Sequence, residues 1–152
     1  MRFLLLLLSS FIYADTYIHT SNYIDGVSDA LIQDSTIIID ETGKIKAIKK
    51  GFIEPNNHDF YDLTAYTVMP GLMDMHVHFG GEYQSKAERP IKVERETEAI
   101  LATVHAQTTL NAGFTTVRQV GDSGYVSISL RDAINKGVIA GPRIFSSGKS
   151  IA

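Results

Sequence analysis

The stretch Met69-Pro70-Gly71-Leu72-Met73-Asp74-Met75-His76-Val77-His78-Phe79 leaves few options for the chain that contains it. Pro70-Gly71 is a turn pair, so the chain bends there. The residues after the turn alternate. In an extended strand Leu72, Asp74, His76 and His78 fall on one side, and Met73, Met75, Val77 and Phe79 on the other. The apolar side suits packing beneath a helix layer. The polar side ends in two imidazoles that point the same way, a compact means of aiming two nitrogen donors at one cation. Zinc takes His nitrogen at roughly 2.0–2.1 Å and tolerates an open coordination position. A bare His-x-His is a weak signal, also met by two polar residues at the exposed end of a strand. The apolar back face, the Pro-Gly entry and Asp74 on the histidine side sharpen it.

The chain around this stretch divides in character. From Thr16 to Val68 the signals are β: Thr16–Thr20, then a hairpin of Ser35–Asp40 and Lys44–Ile48, then short strands at Phe60–Leu63 and Tyr66–Val68. A small β-sandwich is expected there. His19 and His58 read as surface or loop histidines. After His78 comes a glycine-containing loop with Glu82 and Tyr83, either of which could line a pocket or simply face solvent. A helix is expected over Ile91–Asn111, with Thr97, Ile100, Leu101, Val104 and Thr108 on one face and Ala112-Gly113 as its stop. His105 has no second histidine at four-residue spacing and reads as structural. Phe114–Val120 is a strand, Val126–Lys136 a second helix, and Arg143–Ser147 begins a third strand. Strand, helix, strand, helix, strand argues for βαβ units and a parallel sheet. The expected domains are 15–68 and 69–152, behind a leader at 1–14.

That leader carries Arg2, an apolar run from Phe3 to Ile12, and Ile12-Tyr13-Ala14 as a cleavage site. It reads as a secretory signal cleaved near Ala14, with a bacterial periplasm as the expected destination. It is too short for a bilayer span of about 20 apolar residues. The 152 residues contain no cysteine, which excludes disulfides, thiolate metal sites and a cysteine nucleophile. A net charge of −3 without a basic run gives no case for a nucleic-acid partner.

Val68–His78 resembles the first barrel strand of the metal-dependent amidohydrolase superfamily. Asn111–Arg118, Leu130–Ile134 and Gly141–Ile144 resemble the end of the first helix, second strand, second helix and third strand of one of its branches. That branch contains imidazolonepropionase-related proteins and Xaa-Pro dipeptidases. The likeness runs from about Thr16 to Ala152. It implies an α/β fold: part of a (β/α)8 TIM barrel, with two β/α units and the start of a third strand, after the small β-sandwich. It further implies hydrolysis of an amide, peptide-like or cyclic amide bond with one or two divalent ions, zinc being the expected metal. His76 and His78 would be ligands, and Asp74 would orient the strand end or one imidazole. The partner would be a small amide or dipeptide-like substrate, and a homo-oligomer is compatible. One departure is visible: the branch often has Asp after its Val-Arg pair, where this chain has Gln119. Glutamine loses the charge and keeps the hydrogen bonding.

A (β/α)8 barrel takes about 250 residues. In the superfamily the remaining ligands and a water-activating aspartate come from later strands. The expectation is therefore an amino-terminal piece of a longer enzyme, with little or no activity by itself. Two alternatives stay open. One is a non-catalytic exported β-rich binding or assembly protein with a vestigial metal site. The other is a metallo-β-lactamase-type hydrolase, which would want Asp-His where this chain has Phe79-Gly80-Gly81.

Overall fold

The computed structural model describes residues 15–56, 59–80, 94–122 and 124–149. The amino-terminal leader, His58, Glu82, Tyr83 and the expected first turn of the first helix lie outside them. The chain forms a mixed α/β structure of two compact units, divided between Pro70 and Gly71.

The first unit is built on β1 (Thr16–Tyr23), β2 (Ile32–Ile39), β3 (Ile45–Lys50), β4 (Asp59–Asp62) and β5 (Thr67–Val68). These strands form one sheet in the order β3-β2-β1-β4, with β5 also on β1. A sandwich needs a second sheet, and the described residues of this unit supply a single one. β1 is antiparallel to β2, with Ile18 opposite Ile37, and parallel to β4 and β5. The β2–β3 hairpin turns at Asp40, whose carboxylate accepts the Thr42 and Lys44 backbone N–H groups.

His19 departs from its expected place on the surface. It is buried on β1, where Nε2–H donates to the Ile53 carbonyl at 2.9 Å. Its ring stacks on Phe52 at 5.0 Å and meets Phe60 edge-on at 4.7 Å. The cause is the segment after β3. The buried Thr36 hydroxyl donates to the Gly51 carbonyl and accepts from the Ile53 N–H, drawing residues 51–53 over the sheet.

The second unit runs β6 (Leu72–Val77), α1 (Arg95–Asn111), β7 (Phe114–Gln119), α2 (Val126–Asn135) and β8 (Arg143–Ser146). The strands are parallel in the order β6-β7-β8. Gly71 is required at the entry to β6 by space, because a Cβ there would run into the Thr115 side chain of β7. The β6–β7 register shifts between Asp74 and Val77, and Arg118 Nε donates to the Met75 carbonyl at 2.8 Å. A guanidinium thus satisfies a backbone group where the ladder is irregular.

Phe79, Ala102, Ala106, Val117, Val126, Leu130 and Ile144 form the core, with Val77, Ala99, Ile134 and Ile139 packed against it. Two expectations need correction. α1 turns its small residues inward: Ala102 and Ala106 are fully buried, while Ile100 is 67% exposed. Alanine lets the helix axis approach the sheet closely, and that packing overrides the stripe drawn through the larger side chains. The apolar face of β6 is covered only at Val77 and Phe79. Met73 and Met75 are 67% and 51% exposed, because α1 packs on β7 and α2 rather than along β6.

The corrected helix face is testable by urea denaturation. Ala106→Leu should cost about 1–3 kcal/mol by overpacking the inner face of α1, whereas Ile100→Ala should stay within about 0.5 kcal/mol of the parent. The reverse order would mean that α1 packs on the stripe of larger residues.

Candidate metal centre

The parallel sheet brings the ends of β6, β7 and β8 to one side, and the chain keeps pairing beyond them. Val120 N–H donates to the Val77 carbonyl, Ser147 N–H to Gln119, and Asp122 N–H to Gly148. On this ordered rim stand His76, still within β6, and His78, one residue past its end. Both imidazoles are exposed. Their ring centroids are 5.3 Å apart with an interplanar angle of 66°.

That spacing fits one shared cation. An imidazole centroid lies about 3.2 Å from a zinc ion bound at roughly 2.0–2.1 Å, so two rings at a tetrahedral angle stand about 5.2 Å apart. The protonation of His78 fits as well. Its Nδ1 is 3.0 Å from the Gly121 carbonyl, and a carbonyl only accepts. Nδ1 therefore carries a proton, and in the neutral ring Nε2 holds the lone pair a metal needs. Histidine ligands characteristically spend their second nitrogen on such a carbonyl. Among the described residues no cluster of three or more His, Cys, Asp or Glu side chains could hold a metal ion. Among the described residues the candidate donors are thus the two imidazoles.

Asp74 is half-buried, and its Oδ1 accepts the His76 backbone N–H at 2.9 Å. It ties down the end of the strand and touches neither imidazole nitrogen in this arrangement. Two residues that the sequence did not assign to the site support it. His105 on α1 donates from Nδ1 to the Phe79 carbonyl at 3.0 Å, and lines a shallow groove together with His78 and Phe79. Gln119 is fully buried and accepts the Phe79 N–H at 2.9 Å. The peptide groups flanking Phe79 are held on both sides. The available signal for His105 was its place beside Ala102 and Ala106 on the buried face of α1.

Residues 67–152 match the sequence model of the amidohydrolase family. The chain belongs to the amidohydrolase family. Members of this family generally use divalent metals. Among solved structures, the amidohydrolase chain is similar to a Xaa-Pro dipeptidase with methionine bound in its active site. The identity is 63% and the TM-score 0.87, over 91% of this chain and 34% of that one. It is also similar to a prolidase complexed with N-methylphosphonate-L-proline, at 29% identity and a TM-score of 0.75, over 90% of this chain and 32% of that one. Ochratoxinase of Aspergillus niger is 30% identical over 87 residues, which are 56% of this chain and 18% of the relative. The chain thus spans about a third of the solved structures it matches and under a fifth of that curated relative.

The loop behind β7 is fixed by Asp122. Its carboxylate accepts the backbone N–H groups of Gly124, Tyr125 and Ser127, the last opening α2. The Ser127 hydroxyl meets Ser146 Oγ at 2.7 Å, and Ser146 Oγ accepts the Gly148 N–H. Partial burial pushes the Asp122 carboxyl up. Hydrogen bonds from Ser127, Gly124 and Tyr125 outweigh it and hold the group below the usual carboxylate range. A carboxyl lowered by folding stabilises fully above its unfolded value of about 3.9 and loses that contribution as pH falls through the folded value. Asp122→Ala should therefore lower stability at neutral pH by about 1–3 kcal/mol, through the backbone N–H groups left without their acceptor. Thermal melts against pH should show parent and variant drawing together in acid. A gap that widens below about pH 3.9 would be the wrong sign.

Proposed function

We propose that the whole protein hydrolyses an amide bond in a small dipeptide-like substrate, with a divalent cation held in part by His76 and His78. The observation that carries this reading is the imidazole pair: centroids 5.3 Å apart, with the His78 Nδ1–H engaged by Gly121. Zinc is the metal we assign, because it takes imidazole nitrogen and the two ring centroids stand 5.3 Å apart. The ligands bound to the Xaa-Pro dipeptidase and the prolidase, methionine and a phosphonate analogue bearing proline, support a dipeptide-like substrate.

When bound, the cation would polarise the scissile carbonyl and bring the pKa of water towards roughly 7. The chain's own contribution is orientation. Asp74 fixes the backbone of His76, Gly121 fixes the ring of His78, and His105 and Gln119 hold the turn behind them. In this reading the second unit is the opening β–α–β–α–β portion of a (β/α)8 barrel, and the five-stranded sheet belongs to a small sandwich. Two donors leave a four-coordinate site two short, so we assign the remaining ligands and the water-activating group to later barrel strands. Residues 1–152 by themselves should turn over little or no substrate. The leader at Arg2–Ala14 directs export, with the periplasm as destination.

The test uses the whole protein and an Xaa-Pro dipeptide. Zinc content should be near stoichiometric. His76→Ala with His78→Ala should remove the metal and reduce kcat/KM by about 100-fold or more. Unchanged metal content in that double variant would rule out the ligand assignment, and full activity after exhaustive chelation would rule out the mechanism. Mass spectrometry of the secreted form should find a mature amino terminus near Asp15. An intact Met1 on protein from the cytoplasm would sink the export reading.

A further inference from the structure

We propose that Gln119 is a positioning residue for the candidate metal centre: its carboxamide fixes which nitrogen of His78 carries the lone pair. The inference deepens the metal reading and rests on it for the use to which that lone pair is put. Gln119 is the largest fully buried side chain among the described residues, at 0% exposure. Its Oε1 accepts the Phe79 N–H at 2.9 Å, and its Nε2 donates to the Gly121 carbonyl at 3.0 Å. The same carbonyl accepts His78 Nδ1–H at 3.0 Å.

The donor and acceptor roles are forced. A backbone N–H only donates and a carbonyl only accepts, so the amide has one possible orientation. A carbonyl oxygen has two lone pairs, and here the Gln119 amide and the His78 imidazole take one each. Gly121 adopts φ +146°, a region that favours glycine. A side chain at this position would strain the backbone that presents the carbonyl. Gln119 then grips both the residue following His78 and the acceptor that the His78 ring uses.

The neutral amide does both, and an ionised carboxylate does not. A carboxylate at this position keeps the bond to Phe79 N–H but sets a second acceptor against Gly121. A thioether of the same length satisfies neither partner, and burial denies both of them water. Either change frees the Gly121 carbonyl to turn, and the Nδ1–H tautomer of His78 loses its anchor.

Long-range 15N–1H spectra of the metal-free protein at pH 8 test this directly. In the parent, His78 should show the Nδ1–H tautomer. Gln119→Glu and Gln119→Met should each convert His78 to a mixture of tautomers while the His76 signals stay in place. Zinc affinity, read by competition with a chromophoric chelator, should fall about 10- to 100-fold. A merely structural role would disturb His76 and His78 alike. An Nε2–H tautomer in the parent overturns the proposal, whatever the variants do. So do variants that fold and keep both the tautomer and the affinity. If the tautomers change as expected but zinc moves neither imidazole signal, the control of the His78 tautomer stands and the metal reading fails.

Discussion

Parallel strands cannot be joined by hairpins, so β6, β7 and β8 lie side by side only because α1 and α2 carry the chain back between them. The rest of the second unit depends on how those helices seat. The fully buried Val117 lies on the middle strand, within a core that includes Ala102 and Ala106 of α1 and Val126 and Leu130 of α2. Two alanines on the inner face bring α1 close enough to exclude water from a β-branched residue. The consequence for function is directional. Parallel strands end on the same side, so His78 meets the Gly121 carbonyl and Ser147 N–H reaches the Gln119 carbonyl without any long loop reaching across.

How much of this was legible depended on the kind of signal. A period of two is a strong statement, and it placed His76 and His78 together from the residues alone. The order of strands and helices was equally plain, because Pro, Gly and the change of period mark the joints. The inner face of α1 was not. Alanine is weakly hydrophobic, so Ile100 and Val104 outshine Ala102 and Ala106 in the pattern, although the packing prefers the smaller pair. Met73 and Met75 show the complementary failure. Their alternation correctly gives a face, but a face does not say which helix covers it. His19 escapes the sequence for a third reason. Its burial is imposed by residues 51–53, tied to Thr36 by two hydrogen bonds that no local pattern announces.

The candidate site shows the same limits. Asp74 stands on the histidine side of the strand, and a carboxylate two residues from an imidazole invites a direct partnership. The structure spends it on the His76 backbone N–H instead. The ring of His78 finds its partner in a backbone carbonyl from the loop after β7. Carbonyls are present at every residue and therefore invisible in a sequence. What makes this one special is its glycine, which is visible, and the buried glutamine two residues earlier, which reads in the sequence only as a missing charge.

Charge placement gives that glutamine its logic. A carboxylate buried at position 119 would have to be desolvated with one N–H to offset it, and it would oppose the carbonyl it must help to hold. The neighbouring loop does carry a carboxylate, Asp122, and it is placed where charge is favourable. Three backbone N–H groups and the opening of α2 surround it, and the positive end of a helix dipole favours an anion there. The end of β7 and the loop behind it thus divide two duties. Asp122 uses its charge to set the backbone beyond β7, and Gln119 uses a neutral donor–acceptor pair to set the ring of His78. The imidazole is oriented without a buried negative charge competing for its proton, so Nε2 remains the free donor on the rim.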